Sequence, residues 1–565
     1  MSRRLALLVA VALFAAGFPA EARGPLGPTA NSVGHGHPAD CTEGALADAL
    51  ALGGAITFDC GAGPQFIIFS IAITITTTAS LNGGDLITLS GNNATRLFDV
   101  QSGSNLTLSH ITLSNAYVVG DGGAIYNEPG AVLAIDHATF HGNKTDDTHS
   151  GGAIINRGTL TISNSTFDSN SSGNGGALYS RFSPSSTTIA DSLFLHNAAL
   201  NTTNGWGGAM LIWDGAPVTV TSSQFISNTA RWGGALYVFP NSRLTLTASL
   251  VADNLADGGT SADGSGGGIY NNASLVMADT LLERNQVVAP VDFSYPGQRA
   301  GGAIYNADSG SMRMTGGALR GNRAQYGGGL YSFGNASLET VTLADNIAGT
   351  GGAIASVNGP MTITLSISGT TLSGNQASLA AYPAVVTPAG SAIYNANPLN
   401  ATNTTLSGNS GAHAIDESNS SITLTSVTLA QNSDGALGSY PGSNSSQVRL
   451  FDTLLAYNGS ANCDPSLFGT FTSQNSLSSD SSCTWIGIQN KSAVDPLLGS
   501  LGYHGGPTLT HVPAANSPAV DAGANCPATD QRGITRPQGP ACDIGAVERL
   551  LHEPVAWLFL PLVRR

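Results

Sequence analysis

Gly122-Gly123-Ala124-Ile125-Tyr126-Asn127 is a phrase this chain writes again and again. It returns as Gly151-Gly152-Ala153-Ile154, Gly175-Gly176-Ala177-Leu178, Gly207-Gly208-Ala209-Met210 and Gly233-Gly234-Ala235-Leu236. It returns again at Gly301-Gly302-Ala303-Ile304 and Gly351-Gly352-Ala353-Ile354, with looser copies at Gly266-Gly267-Gly268-Ile269, Gly327-Gly328-Gly329-Leu330 and Gly390-Ser391-Ala392-Ile393. A second phrase alternates with it: an apolar residue, two variable residues, then Asn. Phe140 to Asn143, Phe167 to Asn170, Phe225 to Asn228 and Leu343 to Asn346 are examples. Early copies of the glycine phrase start 24 to 32 residues apart. A fixed phrase at such a period marks stacked structural repeats.

Between the phrases the pattern has period two, as in Leu160-Thr161-Ile162-Ser163 and Leu244-Thr245-Leu246-Thr247. Alternation of apolar and β-prone polar residues predicts half-buried strands. One repeat has room for a coil of three short strands. Gly tolerates the positive φ that sharp corners need, and Gly-Gly-Ala lets neighbouring coils approach. The recurrent Asn suits a ladder of amides bonded from coil to coil. The expected fold is all-β: a single-stranded, right-handed parallel β-helix. About a dozen coils between residues 105 and 460, at ~4.8 Å per strand, give a rod on the order of 60 Å long.

At 565 residues the chain is long for one compact core, but a solenoid grows by adding coils. Charged residues make up only 10%, and the net charge is −15. That balance disfavours nucleic acid and anionic membrane surfaces as partners. Arg3-Arg4, the apolar run Leu5 to Phe18 and Ala20-Glu21-Ala22 together read as an export signal covering residues 1–22. No later stretch supplies the ~20 apolar residues of a transmembrane helix. The mature chain is expected outside the cytoplasm, secreted or on the cell surface.

Six cysteines fall in three close pairs: Cys41 with Cys60, Cys463 with Cys483, and Cys526 with Cys542. In an oxidising compartment nearest-neighbour disulfides are the expected connectivity, one among several. A zinc site is the competing reading, though no CxxC is present. Along the chain, residues 23–40 read as a Gly-, Pro- and His-rich linker. Residues 41–104 form an entry cap with the first coils, 105–460 the repeat body, 461–548 a C-terminal cap, and 549–565 a tail containing Trp557 to Arg565.

The paired phrases resemble the repeats of polymorphic outer-membrane proteins and related bacterial β-helix surface proteins over roughly 105–460. That resemblance implies outer-membrane association as an alternative address. Residues 490–548 resemble the choice-of-anchor Q domain of predicted bacterial surface proteins. The matching stretches include Asp495-Pro496-Leu497-Leu498-Gly499, Ser517-Pro518-Ala519-Val520-Asp521-Ala522-Gly523, Asp530-Gln531-Arg532-Gly533 and Cys542-Asp543-Ile544-Gly545-Ala546-Val547-Glu548. The resemblance implies an exported protein whose tail, here Trp557 to Arg565, serves anchoring machinery.

Catalytic sites on such scaffolds need clustered carboxylates. Here Asp121, Asp136, Asp168, Asp191, Asp253, Asp279 and Asp345 are scattered over different coils. Asp146-Asp147, beside Lys144 and His149, is an adjacent Asp–Asp pair in the body; it reads as a metal or sugar contact or as a solvated turn. Gly34-His35-Gly36-His37 resembles a Gly-His-Gly element of galacturonan hydrolases but lacks companion Asp pairs. Asp530, Arg532, Arg536 and Asp543 read as a polar site or as a stapled cap finishing the open sheet edge. Trp206, Trp213 and Trp232 are the candidate ligand-binding residues: Trp206 and Trp232 each precede a Gly-Gly, one coil apart, either as a sugar platform or as turn packing. No catalytic residue, cofactor or metal is assigned. The expected function is adhesion or carbohydrate binding by an exported, non-enzymatic protein. The alternatives are a polysaccharide lyase or glycoside hydrolase, and a structural surface-layer component.

Overall fold

The computed structural model describes residues 31–551, apart from 183, 259–263, 289–298, 360–362, 379–386, 444, 466–468 and 485–486. The proposed signal 1–22, the first part of the linker and the tail Trp557 to Arg565 lie outside the described residues.

The repeat body is a right-handed parallel β-helix. One coil runs Ile125–Asn127, Val132–Asp136, Thr139–His141 and Lys144–Thr145. The next runs Ile154–Asn156, Thr159–Ser163, Thr166–Asp168 and Ser171–Ser172, so many coils carry a fourth, two-residue strand beyond the three expected. Strands pair in parallel with identical phrases aligned: Ile125 with Ile154, Leu133 with Leu160, Phe140 with Phe167. Among the described residues the stacked strands build sheets of 18, 16, 14 and 7 strands. We call the 18-, 16- and 14-stranded sheets the first, second and third flanks.

Alternation fills the interior. Leu133, Ile135, Leu160 and Ile162 point inward with at most 1% exposure. Phe140, Phe167, Phe194 and Phe225 form one internal stack with centroids 4.6, 4.7 and 4.9 Å apart. The glycine phrase makes its corner as the sequence predicts. Gly233 sits at φ +64, and a Cβ on Gly234 would meet the Gly267 carbonyl oxygen at 2.1 Å. Only a residue without a Cβ lets the coils approach that closely.

Both ends differ from the sequence reading. Residues 31–40 are not a free linker: Asn31–Val33 pairs with Gly54–Phe58. The entry is a short helix, Glu43–Leu52, which the periodicity argument missed. Thr42 caps it by accepting from the Ala45 amide, and Leu46, Ala49 and Leu50 bury against the first coil. At the other end coils continue past residue 460, through Gly469–Gln474 and Gly487–Ile488.

Beyond Lys491 the chain folds back along the second flank. Thr371 Oγ1 donates to Leu509 O, Asn403 to Thr529 O at 2.7 Å, and Thr405 Oγ1 to Gln531 Oε1 at 2.6 Å. Ser407 meets His511 at 2.9 Å, and the Ala546 amide donates to Thr428 Oγ1 at 2.9 Å. The physical reason is the flank itself: its outward row here is small hydroxylated side chains, which offer hydrogen bonds without bulk. The three disulfides are Cys41–Cys60, Cys463–Cys483 and Cys526–Cys542.

Candidate ligand-binding flank

Strand alternation sends Ile125 inward and its neighbour Tyr126 outward. Register then stacks the equivalent residues of successive coils into one outward row: Tyr179, Leu211, Tyr237, Tyr270, Tyr305 and Tyr331. The rings of Tyr237, Tyr270, Tyr305 and Tyr331 stack at 4.6, 4.6 and 5.2 Å. Burial holds their phenols protonated, with Tyr270 pushed up to about 12.

The three candidate tryptophans come together on this third flank. Trp206 and Trp232 are bridged in register, with centroids 6.4 Å apart. Trp213 lies on the other side of the tyrosine row, stacked on Phe239 at 3.5 Å. Trp206 is the hub, with Trp213 at 5.3 Å, Tyr237 at 5.7 Å and Phe239 at 6.0 Å. Arg231 lies over the Trp232 ring at 4.7 Å. The tryptophans and Phe239 are half-buried, so each ring both packs and shows an edge or face to solvent. Phe239 and the tyrosine row were missed, although the signal was present. The fifth residue of the phrase is Tyr in copy after copy: Tyr126, Tyr179, Tyr237, Tyr270, Tyr305, Tyr331 and Tyr394.

Several of the other singled-out residues have structural partners, and others stand at corners or on the surface. Asp146 accepts from the Thr148 amide at 2.9 Å and meets His149 Nδ1 at 2.7 Å. Burial pushes its carboxyl up, but these bonds outweigh it and hold the group at about 2. Asp191, Asp253, Asp279 and Asp345 stand at corners with φ of 48, 56, 47 and 57, where a short polar side chain tolerates the left-handed turn. His35 and His37 are exposed, His35 being 4.0 Å from Asp40. Asp530, Arg532, Arg536 and Asp543 lie inside the folded-back segment. Arg532 pairs with Asp530 at 3.0 Å with both side chains 0% exposed, and Arg536 pairs with Glu548 at 3.4 Å. They hold that segment's own backbone: Arg536 donates to Asp543 O and Gly545 O, both at 2.7 Å.

His413 is a polar arrangement the sequence did not announce. Its Nδ1 meets the buried Asp416 at 2.8 Å and its Nε2 meets Asp464 at 3.1 Å. Burial disfavours the imidazolium, but Asp416, Asp464 and Asp434 together hold its pKa above the ordinary value. Among the described residues no group of three or more His, Cys, Asp or Glu is arranged to hold a metal ion. No described helix is long and apolar enough to cross a membrane.

No curated protein matches this chain. Among solved structures it is similar to PfbA, a surface adhesin of Streptococcus pneumoniae, at 14% identity over 76% of this chain and 93% of that one, with a TM-score of 0.32. It is similar to the A-module of the mannuronan C-5 epimerase AlgE4 of Azotobacter vinelandii, at 12% identity over 72% and 91%, TM-score 0.25. It is also similar to pectate lyase Pel9A, at 14% identity over 86% and 98%, TM-score 0.23. The family model described as "Right handed beta helix region" matches residues 131–317.

Proposed function

We propose that this chain is an exported β-helix protein, displayed on or released from a bacterial surface, that holds a polysaccharide along its third flank. The observation that carries the reading is the cluster of Trp206, Trp213, Trp232 and Phe239, half-buried on adjacent coils of one rigid face. Sugar rings present apolar C–H faces that stack on such side chains, and a rigid scaffold spares the ordering cost of binding. From the Met210–Trp213 strand to Tyr394 the flank spans about six strand spacings of ~4.8 Å, a track suited to an extended chain. The apolar run after Arg3-Arg4, the disulfides and the choice-of-anchor Q resemblance of residues 490–548 support export.

A glycan array and affinity electrophoresis on residues 23–548 test the reading. Retention by a polysaccharide, lost in Trp206→Ala and Trp232→Ala while far-UV circular dichroism is unchanged, supports it. Retention that ignores both substitutions sinks it.

A second reading, a polysaccharide-cleaving enzyme, is favoured by one observation: His413 held between Asp416 and Asp464 in the manner of an oriented acid–base group. New reducing ends or unsaturated products from a polysaccharide, abolished by His413→Gln, would select that reading.

A further inference from the structure

We propose that Arg157 and Arg181 form an anion-binding subsite at the upstream end of the aromatic flank. The subsite takes a carboxylate or sulfate group carried by a glycan. The proposal rests on the reading that this flank holds a polysaccharide, and it specifies the chemistry of that polysaccharide.

Register places the two residues side by side. Asn156 pairs with Ser180, so the residues that follow them, Arg157 and Arg181, occupy the same row on adjacent coils. Arg181 pairs in turn with Trp213. The row therefore runs from two arginines into the tryptophan cluster. Both guanidinium groups share one ring: Phe182 lies 5.4 Å from Arg157 Cζ and 4.1 Å from Arg181 Cζ. Phe182 occupies a corner at φ 66, where the next coil places Asp214 at φ 53. A bulky aromatic in that region is an outlier, and such outliers concentrate at ligand sites.

Among the described residues the two cations lack the acidic partners that several other arginines have. Arg284 is paired with Asp253 and Glu283, Arg313 with Glu339, Arg532 with Asp530 and Arg536 with Glu548. Among the described residues the Arg181 side chain makes no hydrogen bond or ion pair. The Arg157 side chain makes one, to the Tyr126 hydroxyl at 2.8 Å. The Nε of each is buried without an acceptor. Two half-buried guanidiniums stacked on one ring repel each other and pay for lost water. An oxyanion relieves both, because the fork of N–H donors fits carboxylate or sulfate oxygens in the plane of the guanidinium. The same stacking leaves that fork pre-oriented.

The test measures affinity of the full chain for an oligouronate, for its carboxyl-reduced neutral counterpart and for a sulfated glycan, and follows the thermal midpoint with inorganic sulfate. We expect an acidic glycan to bind at least tenfold more tightly than the neutral one. Arg181→Gln and Arg157→Gln should each remove most of that preference and leave neutral binding unchanged, whereas Trp206→Ala weakens all glycans alike. Arg181→Lys should recover only part, since a point charge lacks the fork. Which anion gains more, carboxylate or sulfate, identifies its source. Equal binding of acidic and neutral glycans, or a preference that survives both Gln substitutions, overturns the subsite and leaves the flank reading intact. If no glycan binds but sulfate raises the midpoint of the wild type more than that of the doubly substituted chain, the subsite stands and the polysaccharide reading falls. No glycan preference together with no differential sulfate response overturns the subsite.

Discussion

Asn197 and Asn228 stand 31 residues apart in the chain, yet their side-chain amides are joined by a 3.0 Å hydrogen bond with neither residue exposed. Asn228 also donates to Phe194 O at 3.0 Å and to Asn254 Oδ1 at 3.0 Å, and its own Oδ1 accepts from the Asn197 amide at 2.9 Å. The same pattern links Asn143 to Asn170 and Asn432 to Asn458, so the ladder spans the repeat body. Each amide satisfies its own corner and the next.

Removing one rung strands its neighbours. Asn228→Leu takes the shared acceptor from the Asn197 backbone and side-chain amides and the side-chain donor from the Phe194 carbonyl, and leaves Asn254 Oδ1 only the residue-228 backbone amide. At ~1–3 kcal/mol per unsatisfied group, the expected loss is at least ~3 kcal/mol. A urea midpoint that stays within error of the wild type refutes the ladder's energetic role.

Close approach at the glycine phrase makes a contrasting pair of substitutions. Gly234 has ordinary φ, yet a Cβ there meets Gly267 O at 2.1 Å and the Leu255 carbonyl carbon at 2.7 Å. Gly63 has nothing within 4 Å. Gly234→Ala is expected to cost ~2–4 kcal/mol or block folding through overpacking of backbone, whereas Gly63→Ala should change the melting temperature little. Equal effects would mean that the coil spacing is not what the glycine protects.

The downstream coils and the segment folded back on them should be more stable at mildly acidic pH than at neutral pH. Burial raises Glu417 to about 7, Asp452 to about 6 and Asp543 to about 6. An acid whose folded pKa is raised contributes fully below its unfolded pKa and loses that contribution as pH rises through the folded one. The window is therefore about pH 4 to 7. His413, also raised, loses its contribution in the same direction, as pH climbs above its unfolded value. Glu417 is 0% exposed and is held by the Ser420 amide and the Ser446 hydroxyl. Glu417→Gln should leave stability at pH 4 unchanged and raise it by about 2–3 kcal/mol at pH 8. Denaturation at the two pH values decides; a gain of equal size at both contradicts the assignment.

Gln531 fastens the folded-back segment. Its amide nitrogen donates to Thr371 Oγ1 and Thr508 Oγ1, both at 2.9 Å, and its oxygen accepts from Thr405 at 2.6 Å. Gln531→Leu should expose residues 491–548 to proteolysis while circular dichroism of the coils persists. Undiminished protease resistance would show that the rest of the segment holds itself on the flank.

Opening Cys526–Cys542, a link across 16 residues, with Cys526→Ser and Cys542→Ser should cost ~3 kcal/mol by loss of chain constraint. The loss should appear in the same segment, read by hydrogen exchange, and leave Asn143 to Asn458 protected. A loss spread over the whole rod contradicts a local staple.

Coil type, the inward apolar rows, the glycine corner and the asparagine rung were readable in the linear chain, because each rests on spacing within one repeat. Trp206 before Gly207 and Tyr237 after Ala235 and Leu236 are local facts of that kind. Unequal repeat lengths hid what lay between repeats. Only the parallel register sets Arg157 beside Arg181, Arg181 beside Trp213, and all of them beside Phe182, since those contacts depend on how loops of different length are absorbed at each corner. The entry helix Glu43–Leu52 was hidden because it occurs once and carries no period. The course of residues 491–551 was hidden for a different reason. Its partners Thr371, Thr405 and Thr428 lie more than a hundred residues upstream, and nothing in their local sequence distinguishes a hydroxyl row that faces solvent from one that another segment will cover.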